Sequence, residues 1–263
     1  MNLTRRQQQA GIARLTLARA STRNAFNAEM IDELQTHLDA LSQDSHLRLL
    51  ILDADGEHFS AGADLAWMRA SVTLDAAANR RDAATLSTMI DTLYRLPCPV
   101  IAVVQGAVMG GAVGMVAACD IVLAADDSRW ALSELRLGLA PAIIAPYVMA
   151  AVGARAFTQL ALSARTFSAQ EALSYGLVHA LHRQDELTTA LEMQVAALLQ
   201  TAPQASRAAK ALIRRLHPGP QPSDRAHCVE VIAQLRTAPE AQEGLQAFFQ
   251  RRTPVWGAAC TNS

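Results

Sequence analysis

The spacing of apolar residues changes rhythm several times along the chain. Residues 11–19, "GIARLTLAR", alternate apolar and polar side chains, the period of a strand with one face in a core. From Asn27 the period lengthens, and Met30, Ile31, Leu34, Leu38 and Leu41 share one face of a helix over 27–43. A strand is expected near 48–54, inside the apolar run "LRLLILDA". "VIAVVQG" (100–106) and "IVLAAD" (121–126) read as further strands. Between them fall a helix running through Tyr94 and ended by "LPCP", and a small-residue helix in "GGAVGMVAACD". The polar, arginine-rich stretch 69–85 is expected to be mobile. This alternation predicts an α/β core with a largely parallel, buried sheet.

Beyond about residue 145 the pattern is helical. Ser168 with Glu171, and Thr237 with Glu240, have the capping-box form expected at helix starts, and Pro203 sits where a first helical turn accepts proline. "HPGPQPSD" (217–224) is the clearest linker. The helices after it carry Val229, Ile232, Leu235, Leu245, Phe248 and Phe249, more apolar surface than one helix layer needs, and are expected to pack on a neighbouring subunit. The reading is one domain over 1–263, with a core to about 200 and a helical region over about 201–263.

Composition narrows the function classes. The 263 residues are 51% hydrophobic and 18% charged, as in a globular enzyme-sized domain. Net charge is −1, Lys210 is the only lysine, and no dense basic stripe occurs, which argues against nucleic acid as the main partner. Apolar stretches are interrupted before about 18 residues, so no membrane span is expected. "MNLTRRQQQAG" lacks the apolar segment of a secretion signal and is expected to be disordered ahead of the first strand. Cys98, Cys119, Cys228 and Cys260 show neither CxxC pairing nor histidines at metal spacing, which predicts reduced thiols in the cytoplasm and no metal site.

Candidate chemistry lies in two stretches nearly devoid of reactive side chains. "HFSAGADLAWM" (58–68) leaves a strand through Ser60-Ala61-Gly62-Ala63, and "QGAVMGGAVGMVAACD" (105–120) runs from a strand into a helix starting at Gly110-Gly111. The second is no GxGxxG, and no Lys-Ser or Lys-Thr follows, so a nucleotide phosphate loop is not expected. What both present is bare backbone. N–H groups at Ala63 and Gly111 that converge on one oxygen make an oxyanion hole, worth roughly 10²–10³ in rate per donor. Asp64 reads equally well as the N-cap of the next helix.

"FSAGADL", "QGAVMGGAVGMVAACDIVLAAD" and "LSELRLGLAP", in this order, resemble the enoyl-CoA hydratase/isomerase (crotonase) superfamily. "LARASTRNAFNAEMIDEL", "TFSAQEALSYGLVH" and "FFQRRTPVW" extend the likeness over almost the whole chain. The resemblance implies a crotonase-like α/β spiral of ββα units, with a helical C-terminal region that helps build a homotrimer or homohexamer. It implies an acyl-CoA substrate, with coenzyme A as part of the substrate and no separate cofactor. The thioester oxygen would sit between Ala63 and Gly111, beside Gly110, while Ala61, Asp64 and Leu65 match positions that hold CoA. Glu134 matches one catalytic glutamate. It is the only acid in "RWALSELRLGLAP", where burial would raise its pKa. The second glutamate of the family's "GGGxE" is missing, because this chain has Gly114 there.

One acid can serve either hydration or double-bond migration. "FSAGADLAWM", "GGAVGMVAACDI" and "SELRLGLAPAIIAPYV" more closely resemble the bacterial methylglutaconyl-CoA hydratases of leucine and isoprenoid catabolism, in which glycine takes that second position and "PAxIxPY" replaces "PGxGG". A hydratase for a branched or carboxylated 2-enoyl-CoA is therefore expected, with a Δ3,Δ2-enoyl-CoA isomerase or a CoA-thioester binding protein without turnover as rivals. Arg69, Arg80, Arg81 and Arg136 are the candidates for a substrate carboxylate.

Overall fold

Regular structure begins earlier than the apolar pattern does. The computed structural model describes residues 3–258 apart from Val72 and Pro218, so Cys260 lies outside the described residues. Strand β1 (Thr4–Gln9) pairs antiparallel with β2 (Ile12–Leu17), where a disordered end was expected. Beyond the buried Thr4 its polar side chains are largely exposed, and Glu33 Oε2 anchors it by accepting the N–H groups of Leu3 and Thr4 at 3.0 and 2.9 Å.

Helix α1 (Ala28–Ser42), capped by Asn27, buries Met30, Ile31, Leu34, Leu38 and Leu41, the face that the period predicts. Strand β3 (Leu49–Ala54) and helices α2 (Leu65–Ser71) and α3 (Ala76–Arg95) follow. Most of the stretch 69–85, expected to be mobile, is helical among the described residues. It ends α2 and supplies the first half of α3, because Asp75 caps α3 and Ala83 is wholly buried. Next come β4 (Val100–Val104), β5 (Ala107–Met109), α4 (Gly111–Ala117), β6 (Ile121–Ala125) and β7 (Arg129–Ala131). A 3₁₀ turn (Glu134–Leu137) leads to α5 (Ala145–Ser163), β8 (Thr166–Ser168), α6 (Ala169–Ser174) and β9 (Ala180–His182). Helices α7 (Leu187–Leu199), α8 (Pro203–Leu216), α9 (Pro222–Thr237), α10 (Pro239–Phe249) and α11 (Val255–Ala258) complete the order.

The strands form a six-stranded sheet, β1-β2-β3-β4-β6-β9, parallel except at β1, and a three-stranded sheet, β5-β7-β8. Chain segments leaving the large sheet pass through the smaller layer before a helix returns them, which is the ββα spiral. Two isolated parallel bridges, Ser60 to Val108 and Phe26 to Ala63, carry that second layer back to earlier turns. β3, β4 and β6 are apolar on both faces because both are covered: Leu50, Val100 and Val122 join the main core, while Leu49, Ile101 and Leu123 pack with Leu187 and Leu191 of α7.

The Ser168–Glu171 capping box is present at α6. The Thr237–Glu240 box is not: Pro239 opens α10 after Ala238, and Thr237 instead bonds back to Gln234 O, ending α9. The helices after the linker fold onto their own chain. α9 lies along α3 through the Arg80–Glu230 and Arg236–Asp82 pairs. α10 presses on the Glu134 turn so closely that a Cβ at Gly244 would stand 2.5 Å from Leu137 backbone.

Candidate active site

The loop after β3 is held by buried polar groups as well as by Phe59, which is wholly buried in the main core. Asn24 Nδ2 donates to the carbonyls of Asp55 and His58 at 2.8 Å, and Gln105 Nε2 donates to those of Ala54 and Gly56. Ser60 bonds to β5 on both sides, accepting from Met109 N and donating to Ala107 O. Phe26 then donates to Gly62 O and accepts from Asp64 N, each at 2.7 Å. In a parallel bridge of this kind the middle residue, Ala63, turns its own N–H to the opposite side. That N–H finds no protein acceptor among the described residues.

The second donor arises from a helix start. Gly110 has φ 53° and ψ −119°, a conformation essentially restricted to glycine, and its N–H is used by Ala131 O. The turn leaves the N–H of Gly111, the first residue of α4, without a protein acceptor among the described residues. Ala63 and Gly111 line the same cavity, of about 450 Å³, and neither offers a side chain that would fill it. Ala61, Leu65 and Gly110 line it too, with Leu65 exposed at its mouth. Asp64 is spent on structure: Oδ1 caps α2 through Ala66 N and Trp67 N, and Oδ2 pairs with Arg19 at 3.1 Å.

Glu134 reaches this cavity from the far wall. The short strand β7 and the 3₁₀ turn after it bring the carboxylate against Gly110, where a Cβ would be 3.1 Å from Oε1. Leu132, Ile143 and Ile144 are buried nearby in the chain, and Oε2 is buried with no hydrogen-bond partner. Burial pushes the carboxyl up to about 7, against the opposing pull of its own backbone N–H. No ion pair between Glu134 and Arg136 forms. A carboxyl poised near neutrality, beside two unused N–H donors, can accept and return a proton while backbone dipoles hold developing negative charge.

The missing second acid has a structural counterpart. A Cβ on Gly114 would fall 2.1 Å from Ile144 Cγ2, so Ile144 occupies the space into which a side chain at 114 would project. Ile144 also lines the cavity. Gly114 and Ile144 are complementary, a small residue on the helix facing a large one in "PAIIAPY".

The candidate arginines separate. Arg80 is exposed and bidentate to Glu230, and Arg69 lies over the Phe249 ring at 4.5 Å. Neither these nor Arg81 lines the cavity, whereas Arg136 does. Sequence reasoning missed Arg236, which enters from α9 with Ile232 and, from α10, Leu245 and Phe248. Their positions carry no motif; only the fold of α9 and α10 back over the site brings them in. Among the described residues no cluster of metal-ligating side chains occurs, and no helix is long and apolar enough to cross a membrane.

The chain has relatives of known family along almost its whole length. The enoyl-CoA hydratase from Shewanella pealeana superposes with a TM-score of 0.80 at 38% identity, covering 97% of this chain and 96% of that one. A 2,3-dehydroadipyl-CoA hydratase of Escherichia coli is 30% identical over 94% of this chain and 95% of its own length. A trans-2-decenoyl-acyl-carrier-protein isomerase of Streptococcus mutans is also 30% identical, over 77% and 78%. The family model for enoyl-CoA hydratase/isomerase matches residues 7–259, and the chain, an enzyme of crotonase fold, belongs to that family.

Proposed function

We propose that the protein adds water across the double bond of a 2-enoyl-CoA thioester, with Glu134 as the sole acid/base. The observation that carries this is Glu134 Oε2, buried and unpartnered in a cavity that also receives the free N–H groups of Ala63 and Gly111. The thioester carbonyl oxygen accepts from both N–H groups. Ionised Glu134 takes a proton from a water molecule as its oxygen bonds to the β carbon. The π electrons move toward the carbonyl, and the resulting enolate oxygen is held by the two donors. Glu134 then returns the proton to the α carbon, so both added hydrogens and the oxygen come from one water. The reaction needs no further cofactor.

The acyl group we infer is branched or carboxylated, as in 3-methylglutaconyl-CoA. The motif likeness supports this, and so does the name of the Escherichia coli relative, which denotes a carboxylated enoyl thioester. A single carboxylate also suits a Δ3,Δ2-isomerase, which moves one proton between carbons. Glu134→Gln separates these readings from mere thioester binding: turnover should fall at least roughly 10²–10⁴-fold. Assays in deuterated water with a 2-enoyl-CoA and a 3-enoyl-CoA read the reaction type. A wild-type enzyme that converts only the 3-enoyl thioester is an isomerase, and unchanged turnover in Glu134→Gln removes it from the mechanism.

We read the assembly as a closed trimer or hexamer in the cytoplasm. Exposed Leu162, Met193, Leu212, Ile213 and Leu216 support the first, and free Cys98, Cys119 and Cys228 the second. A monomer in sedimentation at micromolar concentration overturns the assembly.

A further inference from the structure

The cavity wall is apolar apart from a few groups, and two of those are guanidinium groups, Arg136 and Arg236. They differ in how they are held. Arg136 is exposed on the 3₁₀ turn, with no ion pair among the described residues. Arg236 is built in. Its Nη1 donates to Asp82 Oδ2, and its guanidinium lies over the Trp67 ring at 5.7 Å. Asp82 Oδ1 accepts from Trp67 Nε1 at 3.0 Å, so both oxygens of that carboxylate are engaged and the arginine side chain is fixed on two sides. Only 13% of the Arg236 side chain is exposed. Its remaining guanidinium nitrogens donate to no protein acceptor among the described residues.

The side chain is thus held in place while its unused donors stay open to a ligand in the cavity. Asp82 pairs with Arg236, whereas Arg136 has no acidic partner among the described residues. Arg236 shares its part of the wall with Trp67, Met68, Ser71, Leu86 and Ile232, contributed by α2, α3 and α9 rather than by the loops that carry Ala63 and Gly111.

We propose that Arg236, oriented by Asp82 and Trp67, is the anion subsite of this cavity and binds a carboxylate at the far end of the acyl chain. The inference rests on the hydratase reading above and names the residue that sets its substrate class. Arg236 acts here as a specificity residue, and the proton transfers remain with Glu134.

The test compares glutaconyl-CoA with the matching thioester whose terminal carboxylate is a primary amide. In the wild type, kcat/KM should favour the carboxylate by at least about 10-fold, since a polar site rejects the group it was not built to pair. In Arg236→Met/Asp82→Asn, which removes both charges together and keeps an acceptor for Trp67, this ratio should fall toward one. Arg236→Lys, with its charge but not its fork, should retain part of it. A wild-type ratio near one overturns the proposal whether or not the variants fold, and so does a ratio that survives in the double variant. The same acids as N-acetylcysteamine thioesters, which lack phosphates, identify the other source of negative charge. If the double variant impairs both CoA esters equally and spares the phosphate-free thioesters, Arg236 binds coenzyme A phosphate and the proposal fails. If the wild type hydrates none of these thioesters, the hydratase reading itself has failed.

Discussion

Asp120 and Glu134 are two carboxylates drawn into the protein, and their oxygens meet opposite circumstances. Asp120, at the start of β6, accepts from Val100 N at 2.8 Å, from buried Lys210 Nζ, and from Arg214 at 3.4 Å. The cluster ties α8 to the strand ends, and Lys210 also donates to Cys98 O. Glu134 Oε2 has no partner among the described residues. Burial alone does not mark the proposed acid/base, because Asp120 is only partly exposed as well. The difference lies in what satisfies each oxygen. A fully paired carboxylate serves structure. An unpaired one is left with a raised pKa and a proton to exchange.

Exchanging the two acids for their amides should separate the roles. Glu134→Gln carries the largest expected effect, the roughly 10²–10⁴-fold loss of turnover already described, in a folded protein. Asp120→Asn should do the reverse. It leaves Lys210 buried beside a neutral group, at a cost of about 3 kcal/mol in urea denaturation, while turnover per folded molecule stays within a few-fold. Equal stability of Asp120→Asn and wild type would show that the cluster is not structural.

Burial of Glu134 should also lower the stability of the folded protein above its pKa. Its carboxyl titrates at about 7 in the fold against 4.5 as the reference value, so the folded state binds that proton more tightly between these limits. Stability falls as pH rises through this window and is level above it, by at most about 3 kcal/mol. Glu134→Gln escapes that loss and should be more stable than wild type at pH 8, with the gap closing toward pH 4.5. Denaturation curves at the two pH values measure it, and an equal gap at both would place the cause outside Glu134.

The smallest effect concerns a second acid placed beside the first. Gly114→Glu alone should destabilise the protein by about 1–3 kcal/mol, since its side chain meets Ile144. Gly114→Glu with Ile144→Gly should recover part of that loss and move the pH–rate profile, because two close carboxylates cannot both ionise at the original pKa. A double variant no more stable than Gly114→Glu would refute the packing of Ile144 against position 114.

Local pattern read most of the regular structure. β2, β3, β4, β6 and α1 appear in the expected stretches because their apolar period is set by neighbours within a few residues, with β2 alternating and β3, β4 and β6 covered on both faces. β1 escaped notice since "TRRQQQ" buries only Thr4, and β5, β7 and β8 are three residues each, too short for a period to register. The stretch 69–85 looked loose because its stabilising contacts, Arg80 with Glu230 and Asp82 with Arg236, lie about 150 positions away.

The site divides along the same line. Bare backbone at Ala63 and Gly111, an isolated acid at 134 and the absence of a carboxylate at 114 are properties of short stretches, visible in the order of residues. Which N–H groups remain unused, whether Glu134 finds a partner, what fills the space before Gly114 and which arginine enters the cavity all depend on contacts between distant segments. Hydrogen bonding is an accounting across the whole fold. An orphaned donor or acceptor exists only once every other segment has taken its place, and Arg236 joins the cavity only because α9 folds back onto α3.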